Sequence, residues 1–130
     1  MNHAEHRFVY RATVDMTSRH ALGAYDGDTI DLLFDLGFNL RVRHRVRLLD
    51  VNTPELRGET REEGVLFRDI TRAWLRNAIE RSSLEFPLTV LTTKSDSFGR
   101  YLGTIFREKD EVSLNQFLLN NGSPSYEKFR

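Results

Sequence analysis

Two short segments carry charged side chains that a plain strand or turn does not require. Residues 25–29 (YDGDT) place two carboxylates around a glycine, just before an apolar stretch. Residues 47–55 (RLLDVNTPE) begin with Arg47 and end with Glu55. Oxygen ligands suit hard divalent cations, and a guanidinium is shaped to bind phosphate oxygens. Phosphodiester hydrolysis needs a nucleophilic water and positive charge around the phosphate, so these residue types fit that reaction.

Taken singly, these residues also have structural explanations. An Asp-Gly pair before a strand is ordinarily a turn. Arg47 can be the last residue of an exposed arginine face, and Glu55 a solvated loop carboxylate. A third segment, residues 96–100 (DSFGR), reads as a turn that projects Arg100 at the head of a strand, where Arg100 can also pair with Asp96. The residues alone leave both explanations open.

In this order, the three segments resemble the staphylococcal (micrococcal) nuclease family. The markers are DGDT, then RLLDVNTPE, then a helix, then FGR before an aliphatic strand, and they span roughly residues 25–122. Residues 57–64 (RGETREEG) are also similar to phage and bacterial members. The resemblance implies an OB-like barrel and a nuclease with little sugar specificity. It also implies one divalent ion, typically Ca²⁺, and DNA or RNA as the substrate.

The resemblance further implies a metal site. Asp28 is then a carboxylate ligand, Asn52 a second ligand and the backbone carbonyl of Thr53 a third. Asn52 departs from the best-known members, which carry aspartate at this position. An amide oxygen remains a legitimate Ca²⁺ ligand, but it removes one negative charge. We therefore expect weaker metal binding or a changed metal preference, with other divalent ions open.

The catalytic roles implied by the resemblance fall on three residues. Glu55 orients or deprotonates the attacking water, and Arg47 and Arg100 bind the phosphate and neutralise its developing charge. Asn52 and Ser97 favour an alternative, a catalytically weakened module of the same fold that binds nucleic acid or a protein. The retained catalytic residues oppose it. A third alternative is an OB-like domain with a protein partner.

Contacts to the nucleotide are expected from three aromatic residues, Phe98, Tyr101 and Tyr126. Ser97 and Phe98 stand where the best-known members have lysine and tyrosine, so Phe98 keeps an aromatic face and loses a hydroxyl. Tyr126 lies close in the sequence to the positions where those members have the tyrosines that pack on the base. It either stacks on a base or covers the barrel.

Hydrophobic patterning predicts the elements that position these residues. Strands are predicted at 8–14, 29–34, 41 to about 51, 86–93 and 101–106. Arginines at every second position from Arg41 to Arg47 indicate a strand with one arginine face. A capping box at 60–63 (TREE) predicts a helix with Leu66, Ile70, Ala73, Trp74 and Ala78 at helical spacing, and a second box at 113–116 predicts a helix that ends at Gly122. The predicted fold class is mainly β with helices (α+β): a five-stranded OB-like barrel with a helix inserted after strand 3 and a C-terminal helix.

Composition sets outer limits. The length of 130 residues predicts a single domain over 1–130, with a frayed N-terminus at 1–7 and a short C-terminal tail at 123–130. The absence of cysteine excludes disulfides, thiolate catalysis and cysteine-ligated zinc. No apolar run is long enough for a membrane span and no signal pattern opens the chain, so we expect an intracellular, cytoplasmic protein without a membrane or an obligate protein partner. The net charge of zero does not exclude nucleic acid, because a metal site places acidic residues beside phosphate-binding arginines.

Overall fold

Alternating apolar side chains in five segments build a closed β-barrel. The computed structural model describes residues 7–94 and 101–125. The strands are β1 (Arg7–Val14), β2 (Thr29–Asp35), β3 (Arg41–Leu48), β4 (Leu88–Lys94) and β5 (Tyr101–Arg107), and the α-helices are α1 (Arg61–Glu80) and α2 (Leu114–Asn120). The barrel closes in the order β1-β2-β3-β5-β4, with β3 and β5 parallel and the other neighbours antiparallel. The predicted OB-like barrel, with a helix after the third strand and a helix at the C-terminal end, is confirmed.

The predicted arginine face lies on β3. Its first three arginines are 45–59% exposed, and each pairs with a carboxylate: Arg41 with Glu85, Arg43 with Asp15 and Arg45 with Asp31. The hydrogen bond from Arg45 is the main cause that lowers the pKa of Asp31 from its usual value. Arg47 differs, because its side chain is only 20% exposed. The description of an exposed arginine face therefore holds for the first three arginines and does not extend to Arg47.

The two helix starts use their caps differently. The predicted box at Thr60 is wrong, because its hydroxyl donates to the carbonyls of Glu55 (2.9 Å) and Arg57 (3.2 Å) and does not cap α1. Thr60 thus fastens the loop before the helix. At α2 half of the predicted box is present, since Oγ of Ser113 accepts from the backbone N–H of Gln116 (3.0 Å). The Gln116 side chain bonds within the helix instead.

The buried face of α1 runs one position away from part of the predicted face. Its buried residues are Gly64, Phe67, Thr71, Trp74, Leu75 and Ala78. Leu66, by contrast, is 56% exposed, and Ala73 is exposed as well. Adjacent apolar residues at 66–67 and 73–75 permit two registers, and the one that buries Phe67 and Leu75 removes more apolar surface from water. No helix in residues 7–94 and 101–125 is long and apolar enough to cross a bilayer.

A buried asparagine on α2 fixes the end of β3. Asn115 donates through Nδ2 to the carbonyls of Gly103 (2.9 Å) and Leu49 (3.0 Å), and its Oδ1 accepts from the backbone N–H of Ile105 (3.2 Å). β3 ends at Leu48 rather than near residue 51 as predicted. The segment that follows is therefore held against β5 from within the protein.

Candidate functional site

Four of the predicted site residues are in direct contact. Asp28 is 4% exposed, and its Oδ2 accepts hydrogen bonds from the backbone N–H of Thr53 (3.0 Å) and from the guanidinium of Arg47 (3.4 Å). The same Arg47 nitrogen, Nη2, donates to Oδ1 of Asn52 (3.0 Å). The Asp28 carboxylate and the Asn52 amide oxygen thus both accept from the guanidinium of Arg47. We call these four residues the Asp28 cluster.

Strand register brings the cluster together. Arg47 on β3 pairs with Thr29 on β2, and the Leu48 N–H donates to the Asp28 carbonyl (2.8 Å). After β3 the chain turns through Asp50, whose φ is 62°. The Asn52 N–H then bonds the carbonyl of Pro124 (3.0 Å). The turn returns residues 52 and 53 to the side of the barrel that carries Asp28.

The loop that carries Asp28 is anchored by close packing. A Cβ on Gly27 would lie 2.7 Å from Cγ2 and 2.9 Å from Oγ1 of Thr53. The Gly27 carbonyl accepts from the Thr71 hydroxyl on α1 (2.7 Å), and the Ala24 carbonyl accepts from Arg72 (2.9 Å). Since Gly27 does not have a positive φ, its role is close approach and not a turn conformation. The DGDT segment is therefore more than an ordinary turn.

Asp26 belongs to the site although its role was not predicted. Its Oδ1 accepts from the backbone N–H of Asp28 (3.1 Å). Burial, together with the hydrogen bond and negative charge of the Asp28 carboxyl group, raises the pKa of Asp26 to about 7. The neighbouring Asp28 carboxyl group thus disfavours the ionisation of Asp26, and a bound cation relieves that repulsion. The available sequence signal was the first aspartate of DGDT, two residues before Asp28.

The donors around Asp28 fit a hard divalent cation. Asp26 and Asp28 carry carboxylates, Asn52 carries an amide oxygen, and Thr53 has a hydroxyl besides the predicted backbone carbonyl, so all of these candidate ligand atoms are oxygens. The Thr53 Oγ1 is buried and has no hydrogen-bond partner in the described part of the chain. Within residues 7–94 and 101–125 no group of three or more His, Cys, Asp or Glu could hold a metal ion. A cation here therefore depends on amide, hydroxyl or carbonyl oxygens and on water.

Glu55 lies in an open cleft that Asp26 also lines. The cleft has a volume of about 330 Å³ and is lined by Tyr25, Asp26, Glu55, Leu56 and Arg57. The Glu55 side chain is 76% exposed, and Oε2 lies 3.6 Å from Nε of Arg57. Asp26 lines the cleft and also bonds the Asp28 backbone. Asp26 thus connects the Asp28 cluster to Glu55.

Of the remaining predicted residues, the structure describes Tyr101. Arg100, Phe98 and Tyr126 lie outside the described residues. Tyr101 lies at the start of β5, with its ring edge-to-face against His44 (4.9 Å between centroids). Both rings line an apolar groove whose wall also includes Phe34. The nucleic-acid contacts of these aromatic residues stay predictions.

Gly64 yields a prediction about how Glu55 is held. A Cβ on Gly64 would lie 2.5 Å from the Glu55 carbonyl oxygen and 2.9 Å from that of Pro54. Glycine to alanine in an exposed helix gains about 1 kcal/mol, but this contact makes Gly64→Ala destabilising by about 1–3 kcal/mol. Urea denaturation measures the change. The control Ala73→Gly, at an exposed position of α1, should lose about 1 kcal/mol, and a stabilised Gly64→Ala would contradict the close packing.

Comparison with models of protein families finds a match. A family model described as staphylococcal nuclease homologue matches residues 45–130, which is more than half of the chain. No curated protein matches the chain. The matched range includes Arg47 and residues 52–55, whereas Asp26 and Asp28 precede it.

Proposed function

The chain belongs to the staphylococcal nuclease family, and from that premise we propose that it is a metal-dependent nuclease. It hydrolyses phosphodiester bonds in DNA, RNA or both, with little sugar specificity. The carrying observation is the contact of Asp28 and Asn52 with one guanidinium nitrogen of Arg47. Oxygen atoms suited to ligate a cation and N–H groups suited to bind phosphate thus lie at the same place on the barrel.

The cation proposed is a single divalent ion, typically Ca²⁺. Asp28, Asn52 and the Thr53 carbonyl hold it, with Asp26 close enough to add a second carboxylate. When bound, the ion supplies positive charge that stabilises the transition state. Asp28 and Asn52 are held together by their shared contact with Arg47, and an ion that binds their side-chain oxygens competes with that contact.

Arg47 binds a non-bridging phosphate oxygen. Its guanidinium has donors shaped for phosphate oxygens, and its contacts with Asp28 and Asn52 orient it before substrate binds. Positive charge fixed in advance stabilises the charge that develops on phosphorus as it becomes five-coordinate. Arg100 is proposed as the second residue whose guanidinium binds the phosphate.

Glu55 acts as the general base. Its carboxylate faces the open cleft, where water has access. It takes a proton from the attacking water as the new bond from oxygen to phosphorus forms. The bond to the leaving oxygen breaks, and that oxygen takes up a proton from solvent. The Glu55 backbone is held by Thr60 and by the close approach of Gly64.

A nuclease assay tests this proposal. The purified protein is incubated with single-stranded DNA and with RNA in Ca²⁺, Mg²⁺ or Mn²⁺, and in a chelator. We expect Ca²⁺-stimulated digestion that the chelator abolishes. If both nucleic acids remain intact in all three metals, the enzyme proposal is lost.

A second candidate function is favoured by Asn52. Its side-chain oxygen is engaged by Arg47, and it contributes no negative charge to the site. Both features weaken cation binding at this position, and they therefore favour a catalytically weakened domain that binds nucleic acid or a protein. Salt-dependent affinity for DNA without cleavage is its signature. Failure to bind any oligonucleotide at low salt would instead indicate a protein partner.

The Asn52→Asp variant tests the metal site. A third carboxylate beside Asp26 and Asp28 should tighten divalent cation binding on the order of tenfold, because Ca²⁺ affinity rises with ligand charge. Titration calorimetry measures it. The control Asn39→Asp adds the same charge in the β2–β3 hairpin, at the opposite end of β2 from Asp28. Equal affinities in Asn52→Asp and the unmodified protein would remove Asn52 from the metal site.

A further inference from the structure

The cleft beside Glu55 has two kinds of wall. Asp26, Glu55 and Arg57 make one side charged, whereas Tyr25 and Leu56 contribute apolar surface. Tyr25 is 46% exposed, although it directly precedes the site residue Asp26. The volume of about 330 Å³ is at the lower end of the range of about 300–1,000 Å³ for small-molecule sites. The cleft is thus suited to a small ligand with one charged and one apolar part.

The Tyr25 ring is held in place before any ligand binds. Its backbone N–H donates to the Thr29 carbonyl (3.0 Å). The His20 ring meets it at 88° with centroids 5.0 Å apart, and the Arg45 guanidinium lies over one face of the ring, 5.5 Å from its centroid. Arg45 is itself fixed by Asp31 (2.8 Å). An aromatic surface ordered in this way costs little conformational entropy on binding.

A nucleobase fits the aromatic surface that Tyr25 contributes to the cleft. Every nucleobase has an uncharged π-face that stacks on aromatic side chains, while its phosphate carries the charge. Asp26 lines the cleft together with Tyr25 and also bonds the Asp28 backbone, so the Asp28 cluster, where Arg47 is proposed to bind the phosphate, adjoins the Asp26 side of this cleft. One nucleotide can therefore place its base on Tyr25 and its phosphate at the Asp28 cluster.

We propose that Tyr25 is a stacking platform for the base of the nucleotide next to the scissile phosphate. The inference rests on the proposed nuclease function and adds to it a base subsite on the β1–β2 connection. Stacking accepts all four bases, so this subsite orients the strand without reading its sequence.

Position-by-position removal of bases tests the subsite. Glu55→Gln protein with Ca²⁺ cuts DNA slowly enough for binding of a short strand to be measured, and each strand of a series carries one abasic position. We expect the loss of one particular base to weaken affinity roughly 5- to 100-fold. Tyr25→Leu should weaken binding of the intact strand by a similar factor and no longer distinguish the abasic strands. Tyr25→Phe should behave like tyrosine.

Phe38→Leu is the matched control, because Phe38 is a 97% exposed aromatic residue in the β2–β3 hairpin. It should bind every strand as the parent does. Fluorescence of the buried Trp74 checks that Tyr25→Leu is folded, and the abasic series on protein that retains Tyr25 needs no such check. Equal affinity for all abasic strands overturns the subsite and leaves the nuclease proposal standing. Absence of any binding at low salt, both to the DNA strand and to an RNA strand of the same sequence, overturns both.

Discussion

Replacing Glu55 by glutamine lowers the rate of phosphodiester hydrolysis by about 10²- to 10⁴-fold, the usual contribution of a general base. Glutamine has nearly the same shape, but it does not accept a proton from water. Because the Glu55 side chain is 76% exposed, the fold should change little, with a free energy of unfolding within about 0.5 kcal/mol of the parent. Initial rates on single-stranded DNA in saturating Ca²⁺ measure the loss.

The control for this variant is Glu63→Gln, an exposed glutamate in the first turn of α1. It removes the same charge from the surface and should leave the rate unchanged. If Glu55→Gln keeps more than a tenth of the parent rate, Glu55 is a solvated loop carboxylate and another group activates the water.

Replacing Arg47 by alanine lowers both activity and stability. Loss of one preorganised donor to the transition state costs about 10²- to 10³-fold in rate. The nearly buried Asp28 also loses its guanidinium partner, which costs about 1–3 kcal/mol in the free energy of unfolding. Arg47→Lys restores part of the stability but little of the rate, because an ammonium lacks the planar fork of donors. Rates on a short oligonucleotide and urea denaturation separate the two effects.

Arg43→Ala provides the comparison on the same strand face. Its side chain is 59% exposed and pairs with Asp15, so its removal should cost at most about 1 kcal/mol and leave the rate unchanged. An Arg47→Ala variant as mild as Arg43→Ala would make Arg47 merely the last residue of the arginine face.

Much of the fold could be predicted because its signals are local. The period-two pattern of β3 and the hairpin glycine between β2 and β3 depend on residues that are neighbours in the chain. Local signals failed where the local sequence was compatible with two structures. Adjacent apolar residues at 66–67 left the register of α1 open, and a threonine hydroxyl such as that of Thr60 is able to donate as readily as to accept.

The sequence by itself determined the strands and helices and the segments that hold the charged residues. Only the tertiary structure decided which of these residues meet. Asp28 contacts Arg47 and Thr53 across 19 and 25 positions of the chain, and no local pattern encodes such distances. Arg45 and Arg47 share one strand face, yet their side chains are 55% and 20% exposed. The difference arises because the chain folds back over Arg47 after β3 and leaves Arg45 in solvent.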